Sequence, residues 1–178
     1  MTEQQRETMA VIRARAGDRE ALESLLRRVQ PDLSRYLSGV VGRQDADDVL
    51  QDVFLQIWRN VRWLREAELF RPWAYRIASR AAFAFLKKQR RWAAATSETP
   101  IVDSVPAPLD PEMARVLAGM PQLFEKVSPA SRAVLVLHYL QNLSIEDVAA
   151  VLDINAGTAK SRLAYGLACL RKSLGRGK

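Results

Sequence analysis

Only one cysteine and one histidine occur among the 178 residues, Cys169 and His138. A lone thiol excludes an internal disulfide and suits a reducing compartment, with a small buried hydrophobe as its ordinary role. A lone imidazole, with no second histidine and no activated nucleophile to partner it, supplies no catalytic set. The chain also lacks a metal-ligand cluster and a glycine-rich phosphate loop, so neither an enzyme nor a cofactor is expected. No apolar run approaches the roughly 20 residues of a membrane span. The opening MTEQQRETMA has no apolar signal-peptide core, and a cytoplasmic location without membrane insertion is the expectation. Acids are outnumbered, 20 Asp and Glu against 27 Lys and Arg, for a net charge of +7. That balance favours an acidic partner such as nucleic acid, although solubility alone can select it.

Aromatic residues are also scarce, at 7%, which makes their placement informative. From Phe54 to Trp92 lie all four Trp and four of the five Phe, together with ten Lys or Arg against Glu66 and Glu68. Net +8 in one segment exceeds the charge of the whole chain. Within it, FRPWAYRIASRAAFAFLKKQRR from Phe70 to Arg91 has helical spacing. At 100° per residue, Trp73, Arg76, Arg80, Phe83, Lys87 and Arg91 share one side, and Ala74, Ala78, Ala81, Ala82, Phe85 and Leu86 the other. Small residues permit close packing on one face, while guanidinium groups and rings on the other suit phosphates and unstacked bases. A solvated basic helix with core aromatics produces the same pattern when taken alone.

Residues 2–37 read as two helices. Met9, Ile12 and Ala16 are spaced for one face of the first, Gly17-Asp18 ends it, and Asp18 caps a second holding Leu22, Leu25, Leu26 and Val29. Pro31 marks a break or the start of a further turn. Asp45 is the expected N-cap of ADDVLQDVFLQIWRNV, where Val49, Val53, Ile57 and Val61 form one apolar stripe and Leu50, Phe54 and Trp58 a second. The strip left over is polar: Asp48, Gln51, Asp52, Gln56 and Arg59. Acids in the first turn complement the helix dipole. Gln51 and Asp52 sit too deep for that and suit a protein partner.

Residues 93–111 hold four of the eight prolines and no Lys or Arg, which reads as a tether or as a segment lying in a partner's channel. Beyond it Met113, Val116, Leu117 and Met120 suggest a helix, and Ser128-Pro129 starts another. Ser144-Ile145-Glu146-Asp147 is close to a capping box, Asp153-Ile154-Asn155 forms a turn, and Asn155 caps a longer helix whose Ala159, Leu163, Leu167, Leu170 and Leu174 face inward. Short helix, tight turn and longer helix is the helix-turn-helix plan, though a plain three-helix bundle shares it. Thr158, Ser161 and Tyr165, flanked by Lys160 and Arg162, are groove and phosphate ligands by type. The expectation is an all-α chain of two small domains, a four-helix domain at 1–92 and a helix-turn-helix domain at 112–178, joined by the Pro-rich linker 93–111.

DADDVLQDVFLQIWRN, FRPWAYRIASRAAFAFLKKQRR and LSIEDVAAVLDINAGTAKSRL, in that order and spacing, resemble the extracytoplasmic-function sigma factors of bacterial RNA polymerase. The resemblance covers nearly the whole chain. It implies that Asp48, Gln51, Asp52 and Gln56 dock on the clamp helices of the largest subunit of core RNA polymerase. It implies promoter DNA contacts by Arg71, Trp73, Arg76, Arg80, Lys87, Lys88, Arg90 and Arg91 at the minus-ten element, with residues 64–71 receiving a flipped base. Thr158, Lys160, Ser161, Arg162 and Tyr165 would read the minus-thirty-five element. An anti-sigma factor is the further partner implied. The chain departs from the family at Arg80 and Ala84, where Asn and Asp are frequent, at Asp153, where Gly is frequent, and after Arg162, where AYGLACL replaces further basic residues. A sigma-like mimic that binds only an anti-sigma factor would need neither the polar strip nor the +8 segment. A helix-turn-helix repressor leaves the first domain unexplained.

Overall fold

Local capping chemistry sets most helix starts in the computed structural model, which describes residues 2–93 and 127–175. Helix α1 (Glu3–Arg15) opens on a reciprocal box, with Gln5 N–H donating to Thr2 Oγ1 at 3.2 Å and Thr2 N–H donating to Gln5 Oε1 at 2.8 Å. Gly17, at φ +95°, makes a turn that a side chain would strain. Asp18 then caps α2 (Arg19–Val41), accepting from Ala21 N–H at 3.0 Å and from Arg13 Nε at 2.8 Å. These bonds, the one from Ala21 foremost, hold the Asp18 carboxyl below its usual pKa.

α2 continues through Pro31, which marks neither a break nor the start of a new turn. An interior proline costs about 3 kcal/mol. Here its ring faces solvent, where water can serve the freed carbonyl, while Leu25, Val29, Leu33, Tyr36, Leu37 and Val40 are buried along the other side. Burial on both sides of the proline outweighs the local penalty. Gly42, at φ +97°, reverses the chain into α3 (Arg43–Asn60). That helix begins two residues before Asp45, so Asp45 is not its cap. It lies in the first turn and accepts from Gln89 Nε2 at 3.1 Å.

The stripe Val49, Val53, Ile57 and Val61 is buried as its spacing requires, with Leu50 beside it. The second stripe is not continuous, because Trp58 is 58% exposed. Two single 3-10 turns, Val61–Trp63 and Ala67–Leu69, lead into α4 (Phe70–Ala93). α4 buries Phe70, Ala74, Tyr75, Ala78 and Ala82 against α2 and α3. Ser79 donates to Tyr75 O at 2.7 Å and shares a 2.6 Å hydrogen bond with Tyr36, whose ring meets Tyr75 edge-on at 5.6 Å.

α1 is rotated from the expected orientation. Met9 and Ile12 are 49% and 46% exposed, Ala16 is also exposed, and Glu7, Val11 and Ala14 face inward instead. The cause is an ion-pair cluster. Arg71 donates from Nε to both Glu7 oxygens at 2.9 Å, its Nη2 reaches Glu7 Oε2 at 2.7 Å, and its Nη1 reaches Asp32 Oδ2 at 2.9 Å. One guanidinium thereby ties α1, α2 and α4 together, turning the Glu7 face to the core.

The second domain comprises α5 (Pro129–Leu135), a π-helical turn at Val136–Leu140, α6 (Ile145–Leu152) and α7 (Ala156–Gly175). Ser128, Ser144 and Asn155 each accept a backbone N–H at their helix starts, and Asp147 returns a carboxylate to the Ser144 hydroxyl at 2.6 Å. Asp153 adopts φ +57°, the left-handed turn between α6 and α7. His138 is spent on structure, its Nδ1 lying 2.8 Å from Leu143 O and its ring against Tyr139.

The segment AYGLACL is a packing face. Ala164, Gly166, Leu167 and Leu170 are buried, and a Cβ on Gly166 would lie 2.7 Å from Leu135 Cδ1 and 3.1 Å from its Cγ. Close approach of α5 and α7, with Leu135 itself buried, therefore explains the missing basic residues. Gly166→Val is expected to destabilise this domain by about 1–3 kcal/mol, the usual effect of overpacking. Urea denaturation at equilibrium measures it, and an unchanged midpoint would show that α5 can yield. The expected linker beyond Ala93 and the helix around Met113–Met120 lie outside the described residues.

Candidate nucleic-acid and polymerase interface

The outer side of α3 carries Asp48, Gln51 and Asp52 in the open, with Gln56 half-buried below them. Sequence spacing missed two members of this surface. Leu55 is 49% exposed, and Trp58 stands nearby on the solvent side. Large apolar side chains beside acids form a mixed patch of the kind that docks protein. The signal available in the sequence was the excess width of the apolar face of α3, which one domain does not cover completely.

At the end of α3, Trp63 is 70% exposed and lies under the Arg62 guanidinium at 5.0 Å. This cation–π pair sits in the 61–69 connector, which also carries exposed Leu69. Trp73 is half-buried against Phe70, with ring centroids 6.1 Å apart. Phe83 is half-buried, and Lys87 and Lys88 are exposed farther along α4. The side chains of Arg90 and Arg91 lie outside the description. Charge and exposed aromatic surface therefore meet at the connector, whereas on α4 the rings of Trp73 and Phe83 pack partly against the core and Arg80, Lys87 and Lys88 stand exposed.

Three arginines in this region have different environments. Arg71, expected among the DNA ligands, is already bound by Glu7 and Asp32, and its charge is neutralised within the fold. Arg76 is half-buried, donating from Nη2 to Ala150 O at 2.7 Å, and its Nε is buried without a partner. Arg80 is exposed, with Asp153 Oδ2 at 3.8 Å. Both acceptors belong to the C-terminal end of α6, the negative pole of that helix.

On α7, Lys160 and Ser161 are exposed, and Thr158 and Arg162 are half-buried in the first two turns. A hydrogen bond with Cys169 raises the Tyr165 pKa above its ordinary value. Helix, left-handed turn and capped second helix therefore present one polar, cationic end. α7 is the element whose start could enter a major groove.

Two bodies of this design define a sigma-70-type transcription factor, and comparison with known families agrees. Residues 25–91 match Sigma-70 region 2, and residues 119–170 match Sigma-70, region 4. The chain is 28% identical over 174 residues to the ECF RNA polymerase sigma-E factor of Haemophilus influenzae, covering 92% of each. It is 28% identical over 178 residues to the ECF RNA polymerase sigma-E factor of Escherichia coli, covering 92% of this chain and 91% of that one. CnrH, solved in complex with the cytosolic domain of CnrY, superposes with a TM-score of 0.70 at 25% identity, over 97% of this chain and 99% of that one. The sigma factor RpoE of Bartonella quintana, solved with the anti-sigma factor NepR, superposes with a TM-score of 0.66 at 20% identity, over 88% and 98%. The chain belongs to the extracytoplasmic-function sigma factors.

Proposed function

We propose that this chain binds core RNA polymerase through the outer strip of α3 and directs it to a two-part promoter. In this reading α4 and the 61–69 connector hold the opened minus-ten element, and the start of α7 reads the minus-thirty-five element. Binding energy does the work, with no covalent step. Capturing unstacked bases on rings while cations hold the phosphates lowers the free energy of the melted strand. The observation that carries the reading is the juxtaposition, on one domain, of the acidic–aromatic strip of α3 with the cationic, ring-bearing side of α4. No described helix is long and apolar enough to cross a membrane, and the proposed site of action is the cytoplasm, with polymerase. An anti-sigma factor that covers these surfaces is the proposed regulator. The NepR complex of a sigma factor with this fold supports that kind of partner.

The test adds the purified protein to core polymerase and fragmented DNA from its own genome, then maps transcript starts. Initiation at a few sites sharing two spaced elements is expected. Polymerase binding without initiation would overturn the DNA-facing half of the proposal, and absence of both would overturn all of it. Within that assay, Arg80→Ala with Arg76 intact should reduce promoter opening at least about tenfold and leave polymerase binding unchanged, because a lost charge-assisted contact is worth about 1.5–3 kcal/mol. Permanganate footprinting reads the opening; equal loss of both would refute the assignment of the α4 face.

A further inference from the structure

Every third residue of the connector is buried: Val61, Leu64 and Ala67, followed by Phe70 at the start of α4. That spacing matches a 3-10 helix, which stacks residues i and i+3 on one side. The two turns close through Leu64 N–H to Val61 O and Leu69 N–H to Glu66 O, both at 3.1 Å, with extended backbone at Leu64 and Glu66 where they meet. The other residues, Arg62, Trp63, Arg65, Glu66, Glu68 and Leu69, form an exposed rim. Turns this short hold little structure of their own, since nucleating one fixes several dihedrals for a single hydrogen bond. The geometry of the rim therefore depends on what lies beneath it.

Beneath it lies α1. This helix precedes residues 25–91, the stretch that matches Sigma-70 region 2, yet it packs against both turns. Its inward residues Val11 and Ala14 share one apolar core with the four buried anchors of the connector. Two polar fastenings complete the contact. Arg15, in the last turn of α1, donates from Nη1 to Arg65 O at 3.2 Å, at the joint between the two turns. Glu7 holds Arg71 immediately beyond the connector. The capping box at Thr2 and the Arg13–Asp18 pair fix the two ends of α1, so the backing is itself a well-anchored helix.

We propose that α1 is the brace that sets the shape of the connector's rim, with Arg15 as a positioning residue for base choice at the minus-ten element. This role rests on the reading of the connector given above. Arg15 lies behind the rim and acts through the Arg65 carbonyl, which fixes the direction in which the side chains of Arg65 and Glu66 leave the backbone. Carboxylates accept from the exocyclic amino groups of particular bases, whereas rings stack on any base. A shifted rim therefore changes which base fits more than how tightly the strand is held, and the cations of α4 stay in place.

The test uses the full chain with Arg15→Ala and Arg15→Lys, and Trp63→Ala as a variant of the rim itself. Arg15 is exposed, so its substitution is expected to leave the melting temperature unchanged. NMR hydrogen exchange on the free chain reads the brace. Arg15→Ala should speed exchange at the Leu64 and Leu69 amides about fivefold, the scale of one exposed hydrogen bond, and Arg15→Lys, which keeps a donor, should restore much of the protection. Base choice is read by letting each chain, bound to core polymerase, select forked DNA fragments that carry a randomised single strand in the minus-ten position, and sequencing the bound fraction. Arg15→Ala should flatten the parent's preference about fivefold at a restricted set of neighbouring positions, with the other positions and polymerase affinity unchanged, and Arg15→Lys should recover it. Unchanged exchange in Arg15→Ala overturns the brace. Faster exchange with preference unchanged at every position, while Trp63→Ala alters it, overturns the positioning role and leaves the reading of the connector standing. A uniform loss across all positions also overturns the role, because it marks general loosening. No change of preference or DNA binding in either Arg15→Ala or Trp63→Ala overturns the reading of the connector, and the role of Arg15 with it.

Discussion

Arg71→Ala is expected to lower the stability of the first domain by about 3 kcal/mol, the range found when one partner of a buried ion pair is removed. Glu7 is only 3% exposed, and both its oxygens are served by Arg71. Without the guanidinium, a carboxylate remains inside the fold with no donor, between α1 and α4. Asp32 loses a partner as well but is half-exposed and can turn to water or to Arg35, 3.7 Å away. Thermal unfolding should register a fall of roughly 10 °C or more, since 1 kcal/mol moves the midpoint of a domain of this size by about 4–8 °C. Glu7→Leu combined with Arg71→Met should recover most of the loss, because an apolar pair of similar volume removes the unpaired charge. Arg71→Lys separates structure from DNA contact. Lysine retains the charge a phosphate would use but cannot make the forked contacts to Glu7 and Asp32. Substantial loss of stability with unchanged salt dependence of DNA binding would establish Arg71 as a clasp. Unchanged stability would return it to the DNA-binding set.

Asp52→Arg is expected to weaken binding to core polymerase at least tenfold without altering the melting temperature of the free chain. Asp52 is exposed in the middle of α3, past the first turn where the helix dipole accounts for acids. Reversing its charge puts like against like if the docking partner is basic there, which costs several kcal/mol at an interface. Trp58→Ala should have an effect of similar size. A tryptophan standing 58% exposed gains most of its burial only when a partner covers it, and such residues dominate interface energetics. Titration of labelled core polymerase measures both. Salt should weaken the parent complex more than the Asp52→Arg complex, whereas Trp58→Ala should leave the salt dependence alone. Unchanged affinity in both variants would remove the docking role of α3, and a loss confined to Trp58 would make the interface apolar.

The helix starts were legible because capping is local. Asp18, Ser128, Ser144 and Asn155 each bond a backbone N–H three residues on, so a window of four residues contains the whole interaction. The α3 stripe was legible for a similar reason, since Val49, Val53, Ile57 and Val61 repeat over more than three turns. Asp45 shows how local reading fails. Its type and place suit a cap, but the chain reverses at Gly42 and leaves it free to meet Gln89 from α4. α1 failed for a stronger reason. Met9 and Ile12 are more apolar than Glu7, yet Glu7 faces inward because a guanidinium 64 residues away meets it there. No pattern within one helix reports the presence of a distant counter-charge.

Sequence alone determined the all-helical class, the helix-turn-helix, the concentration of charge and rings in one segment, and the family, because each rests on periodicity, capping or motif order within short stretches. Tertiary structure alone decided which cations are available. Arg71, Arg76 and Arg80 carry the same group at similar spacing on one helix, but Arg71 is clasped by two carboxylates, Arg76 is held by the end of α6, and Arg80 stands in the open. The physical difference is solvation and pairing, set by residues from α1, α2 and the second domain that only the folded chain brings beside α4.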